Sequence, residues 1–85
     1  MGPCQSYNLS NVTITVDERI VCQNINLQNV TINNGAKLLL QATVSIVIGP
    51  NVIVNSGGSL ELEGGTVKID YGTFKVMQGA SFKVK

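Results

Sequence analysis

The chain has 85 residues, a net charge of +1 from six Lys/Arg against five Asp/Glu, and 44% hydrophobic residues against 13% charged. That length allows one domain, the composition excludes a disordered chain, and so even a charge leaves no electrostatic footprint for nucleic acid or an anionic membrane. There is no His and no Trp. Without His the chain lacks the commonest general base and the commonest metal ligand, so no enzyme, metal site or cofactor is expected.

The longest apolar runs are three residues, such as LLL (38–40) and IVI (46–48). A membrane-crossing helix needs about 20, so no membrane insertion is expected. Met1, Gly2, Pro3 and Cys4 are followed at once by polar residues, unlike a secretory leader. This fits a cytosolic chain, or a mature form whose leader is gone.

Taken in chain order, VTITV (12–16), NINL (24–27), SLELE (59–63) and FKV (82–84) alternate apolar and polar residues. That is the strand period, and no segment sustains the spacing of a helix. Asn or Gly punctuates the short runs.

The runs repeat. NVTINNGAKLLL (29–40), NVIVNSGGSLEL (51–62) and TFKVMQGASFKV (73–84) align at a step of 22 residues. Gly35, Gly57 and Gly79 coincide as turn glycines. So do Val30, Val52 and Phe74; Ile32, Val54 and Val76; Leu38, Leu60 and Phe82; Leu40, Leu62 and Val84. Towards the N-terminus the step becomes 18, matching Val12 and Ile14 to Val30 and Ile32, and Ile20 and Cys22 to Leu38 and Leu40, with Asp17 in place of the glycine. A further set joins Tyr7/Leu9, Ile25/Leu27, Ile46/Ile48 and Val67/Ile69.

Three apolar pairs per unit and four units predict an all-β protein: a triangular parallel β-solenoid of about four coils, three short strands per coil, forming one domain over residues 1–85. Like positions then stack about 4.8 Å apart into apolar columns. A small antiparallel sandwich is the competing reading. It would need tight hairpin turns, and the regular spacing of like positions favours the solenoid.

On this reading Cys22 shares the column of Leu40, Leu62 and Val84, and Cys4 lies one coil before it. Parallel neighbours fall within disulfide reach, so a Cys4–Cys22 bond closing the first coil is expected, implying an oxidising compartment. The alternative is two reduced, buried cysteines. No His is present to activate a thiolate.

Outward residues form columns as well. Glu61 over Lys83 and Glu63 over Lys85 read as rung-to-rung ion pairs, a stronger reading than a glycosidase carboxylate pair. Asn11, Asn29 and Asn51 align as a candidate amide ladder, and the sequons NVT at 11–13 and 29–31 are weak in so Asn- and Thr-rich a setting. Val21, Leu39, Val47 and Ile53 are outward and apolar, Val21 and Leu39 in one column; that pair hints at lateral contact, unless the connection over residues 41–45 covers it.

Each end of a solenoid is an open edge. The last coil has apolar inward residues throughout, Val67, Ile69, Phe74, Val76, Phe82 and Val84, which make it a candidate stacking edge. It also carries Lys68, Lys75, Lys83 and Lys85, while Asp17 and Glu18 lie in the first coil. The lysines read either as guards against edge pairing or as one half of a head-to-tail contact, which does not close and gives a filament.

VTINNGAKLLL (30–40) followed by VIVNSGGSLEL (52–62) resembles the 3-coathanger stack domains of secreted and surface proteins of Bacteroidetes, and the ending TFKVMQGASFKVK (73–85) and the early cysteines are similar too. The likeness covers residues 4–85 and implies an extracellular, non-catalytic module with no active-site residues to carry over. The expected function is therefore structural: a disulfide-stapled spacer, or one stacking end to end into filaments, with a second copy or a neighbouring surface protein as partner. A surface adhesion or carbohydrate-binding module is the alternative, although Tyr7, Phe74 and Phe82 fall on core positions and leave only Tyr71 outside. An ice-binding array fails because its Thr column reads Thr13, Thr31, Ile53, Lys75.

Overall fold

The computed structural model describes residues 3–85. Its strands are β1 (Ser6–Ile14), β2 (Glu18–Ile32), β3 (Lys37–Ile48), β4 (Val52–Val54), β5 (Ser59–Glu63), β6 (Thr66–Ile69), β7 (Phe74–Val76) and β8 (Ser81–Val84). Every pairing is parallel. The fold is a β-solenoid of about four coils. One side stacks residues 6–9 of β1, 24–27 of β2, 45–48 of β3, and β6. The second stacks residues 12–14 of β1, 30–32 of β2, β4 and β7. The third stacks residues 18–22 of β2, 37–42 of β3, β5 and β8.

The early strands run unbroken around corners because one residue makes the turn between the first and second sides. Asn11, Asn29 and Asn51 sit there with φ of 58°, 53° and 62°. Asn tolerates this left-handed conformation better than other residues with a Cβ. The Asn column is thus a backbone device first. It is also an amide ladder, since Asn51 Nδ2 donates to Asn29 Oδ1 at 3.1 Å.

The core follows the expected columns. Ile25, Leu27, Val30, Ile32, Leu38 and Leu40 in coil two, and Ile46, Ile48, Val52, Val54, Leu60 and Leu62 in coil three, are all 0% exposed. These coils have neighbours on both sides. The end coils have one neighbour each. Leu9, Val12, Val67, Ile69, Phe74 and Phe82 are accordingly half-buried, and Tyr7, Val76 and Val84 are 41%, 40% and 54% exposed.

One part of the register differs from the sequence reading. Val12 and Ile14 do lie beside Val30 and Ile32. On the third side, however, Ile20 lies beside Leu40 rather than Leu38, and Cys22 beside Ala42 rather than Leu40. Glu18 takes the place opposite Leu38, and Arg19, not Val21, lies beside Leu39. The preceding corner of coil one is two residues shorter than its counterparts, so the step grows from 18 to 20 residues as the chain turns it. Asp17 does not occupy the glycine column. Its Oδ1 accepts a hydrogen bond from the Lys37 N–H at 2.9 Å, bracing the short corner with a side chain.

In the other coils Gly35, Gly57 and Gly79 make that corner with φ of 85°, 81° and 88°. They form a ladder, Gly35 N–H donating to Gly57 O at 3.0 Å and Gly57 N–H to Gly79 O at 3.1 Å. A Cβ at Gly57 would run into the Asn34 side chain. Gly57→Val is expected to cost at least about 1–2 kcal/mol from the left-handed backbone alone. Urea denaturation measures this, and an unchanged midpoint would contradict the ladder.

Candidate functional site

No group of three His, Cys, Asp or Glu comes together among the described residues. The chemistry on the surface is carried instead by side-chain ladders and by the two end coils. Comparison with protein-family models, with curated proteins and with solved structures gives no match.

The third side carries the charged ladders. Glu61 lies beside Lys83 in register, as expected, but its ion pairs are with Lys37 at 3.3 Å and Lys85 at 3.8 Å; Lys85 also reaches Glu63 at 4.0 Å. Although it is in an outward column, Glu61 is only 7% exposed, flanked by the Leu39 and Lys83 rungs. Desolvation pushes its carboxyl up, but the hydrogen bond and charge of Lys37 and the charges of Lys85 and Lys83 outweigh this and hold it below its ordinary value. It is therefore ionised at neutral pH. A glycosidase's acid needs the opposite shift.

A depressed folded-state pKa contributes stability at pH values above the unfolded carboxyl's, and that contribution is lost as pH falls through the folded value. The stability gap between the native chain and Glu61→Gln should shrink as pH falls through the carboxylate range. Urea midpoints across that range test this, and a gap that widens in acid would contradict it.

A second ladder was not visible in the sequence. Arg19 Nε donates to Gln41 Oε1 at 2.6 Å, and Gln41 Nε2 to Glu63 Oε2 at 2.6 Å. With Lys85 it crosses all four coils. The signal that finds it is the corrected register, which sets Arg19 beside Leu39 and so within diagonal reach of Gln41, the next outward residue along the neighbouring strand. Other amide links run from Asn26 Nδ2 to Asn8 Oδ1 at 3.0 Å and from Asn55 Nδ2 to Asn33 Oδ1 at 3.2 Å. The column Thr13, Thr31, Ile53, Lys75 is in register as read, so Thr does not line that face.

At the N-terminal end Cys4 and Cys22 form a disulfide with Cα atoms 4.8 Å apart, 18 residues along the chain. The bond encloses one full coil. Cys22 is buried and Cys4 exposed. Gln23 N–H donates to Cys4 O at 3.0 Å, and Asn24 Nδ2 to Gln5 O at 2.9 Å, so the segment holding Cys4 is itself a short edge rung. Glu18 is exposed on this edge at a position whose counterparts are Leu38, Leu60 and Phe82.

At the C-terminal end Phe74 and Phe82 pack edge to face, centroids 5.0 Å apart at 67°. Around them lie Val67 and Ile69, half-buried, and Val76 and Val84, exposed. All six residues of the expected stacking edge belong to this last coil.

Proposed function

We propose that the protein is a non-catalytic structural module of the cell exterior: a disulfide-stapled rod whose C-terminal edge is its point of attachment to a second copy, end to end, or to a neighbouring surface protein. The observation that carries this reading is the asymmetry between the interior, whose central columns are wholly buried, and the last coil, which leaves Val76 and Val84 exposed beside unpaired strand edges. An oxidising location is supported by the disulfide. A non-catalytic role is supported by the lack of His and by an ionised, ion-paired Glu61. An adhesion or carbohydrate-binding role has less support, because Tyr71 is the one aromatic on an outward position, 78% exposed.

Sedimentation velocity and negative-stain microscopy over a concentration series, in oxidised and reduced samples, test the reading. End-to-end rods are expected in at least one redox state, and Val84→Glu should abolish them. Monomers in both states would remove self-stacking and leave a spacer.

A further inference from the structure

We propose that the first coil is a cap held on by the Cys4–Cys22 disulfide, and that the C-terminal edge of one copy fits the edge of coil two of the next, exposed when reduction lets the first coil be displaced. This rests on the stacking reading above and specifies which surface receives the C-terminal edge and what controls it.

The intact N-terminal edge is a poor partner for the C-terminal edge. Continuing the columns would set Phe82 on Glu18, an ionisable group against an aromatic ring, and Lys83 on Arg19. The corner from Val76 to Phe82 is also two residues longer than that from Ile14 to Glu18. Sliding the third side by two residues, to bring Ile20 under Phe82, would direct Val84 onto Cys22. That flank of Cys22 is already taken by Cys4. A charged residue at an inward edge position is a recognised guard against strand addition.

The edge of coil two has none of these faults. In register it offers Ile25, Leu27, Val30, Ile32, Leu38 and Leu40 to the six apolar residues of the C-terminal edge. Its outward residues beneath Lys68, Lys75, Lys83 and Lys85 are Asn26, Thr31, Leu39 and Gln41, so no like charges meet. The corner from Ile32 to Leu38 equals that from Val76 to Phe82 in length. Gly79 then continues onto Gly35 of the next copy, extending the ladder of the interior. The remaining corner, where residues 70–72 project from coil four, is mismatched equally against coil one and coil two and does not discriminate.

The first coil is the coil whose loss is expected to respond to redox state. It has one neighbouring coil and the disulfide spans it from end to end. Terminal units of a solenoid are held by a single interface and fray first. A dithiol reductant releases the staple: its thiolate attacks one cysteine sulfur, expelling the other as a thiolate and leaving a mixed disulfide, and its second thiol then attacks the reductant's own sulfur in that bond and displaces the cysteine first attacked. The reductant leaves as a cyclic disulfide, and two electrons and two protons remain on Cys4 and Cys22 as thiols. The exposed position of Cys4 gives the reductant access.

The test uses the full chain, oxidised or treated with dithiothreitol, together with Cys4→Ser and Val84→Glu. Val84 is 54% exposed, so its substitution leaves the core intact. Reduction or Cys4→Ser should lower the concentration for half-assembly by on the order of tenfold or more. The rods should add one molecule per three rungs, about 14 Å, in place of four rungs, about 19 Å. Val84→Glu should abolish the rods in the reduced state. Rods that form equally well in the oxidised state, or with the four-rung repeat, would overturn the cap while leaving end-to-end stacking in place. Amorphous aggregates indifferent to Val84→Glu would overturn it too. Monomers in both states would overturn the cap and the stacking reading together.

Discussion

Leu40→Ala is expected to destabilise the protein by about 2–5 kcal/mol, the range for truncating a fully buried leucine. Leu40 is 0% exposed and stands in a column between Ile20 and Leu62. The rigid rung spacing leaves the neighbours little freedom to collapse into the gap. A chain of this size has a stability of roughly 4–13 kcal/mol at about 0.05–0.15 kcal/mol per residue, so this one change removes a large share of it. Urea titration followed by circular dichroism measures the loss. Val84→Ala, at the end of the same column, should cost far less because Val84 is 54% exposed. Equal costs at the two positions would mean that the column is not continuous.

Removing the disulfide is the second large effect. A bond closing 18 residues contributes on the order of 3 kcal/mol by restricting the unfolded chain. Cys4→Ser should lower stability by about that amount. The loss should be unequal along the chain, because coil one has a neighbour on one side only. Hydrogen exchange should quicken most at the amides of residues 6–14, less across coils two and three. Uniform quickening from end to end would show that the four coils unfold as one unit.

Much of this fold is legible in the residues because a parallel solenoid makes its register explicit. Leu38, Leu60 and Phe82 can be aligned by counting, and the structure stacks them. The cysteine pair is legible for the same reason, since the step of 18 holds where Cys4 meets Cys22. Cys22 stands in the column of Ala42, not that of Leu40, because corners carry no period. Coil one omits two residues before Glu18, and the alternation of strand residues continues unchanged across the omission, so Ile20 fits beside Leu38 or Leu40 equally well on pattern alone. The pairing of Glu18 with Leu38 identifies the shorter corner, and the Lys37 N–H donating to Asp17 Oδ1 braces it. Side-chain reach is similarly hidden. Position pairs Glu61 with Lys83, but long lysine side chains let Lys37 and Lys85 reach its carboxylate instead. Alignment points to an amide ladder in the Asn column, but its larger role, turning the backbone at φ of 53° to 62°, follows from conformation that alignment does not report.

The chain winds about one axis with like residues stacked in parallel columns. Solution NMR tests it most directly through side-chain NOEs between rungs. Contacts from Leu38 to Leu60 and on to Phe82, and from Ile32 to Val54, are predicted, with Ile20 touching Leu40. Antiparallel cross-strand NOEs between sequence-adjacent segments, with those contacts missing, would contradict the account.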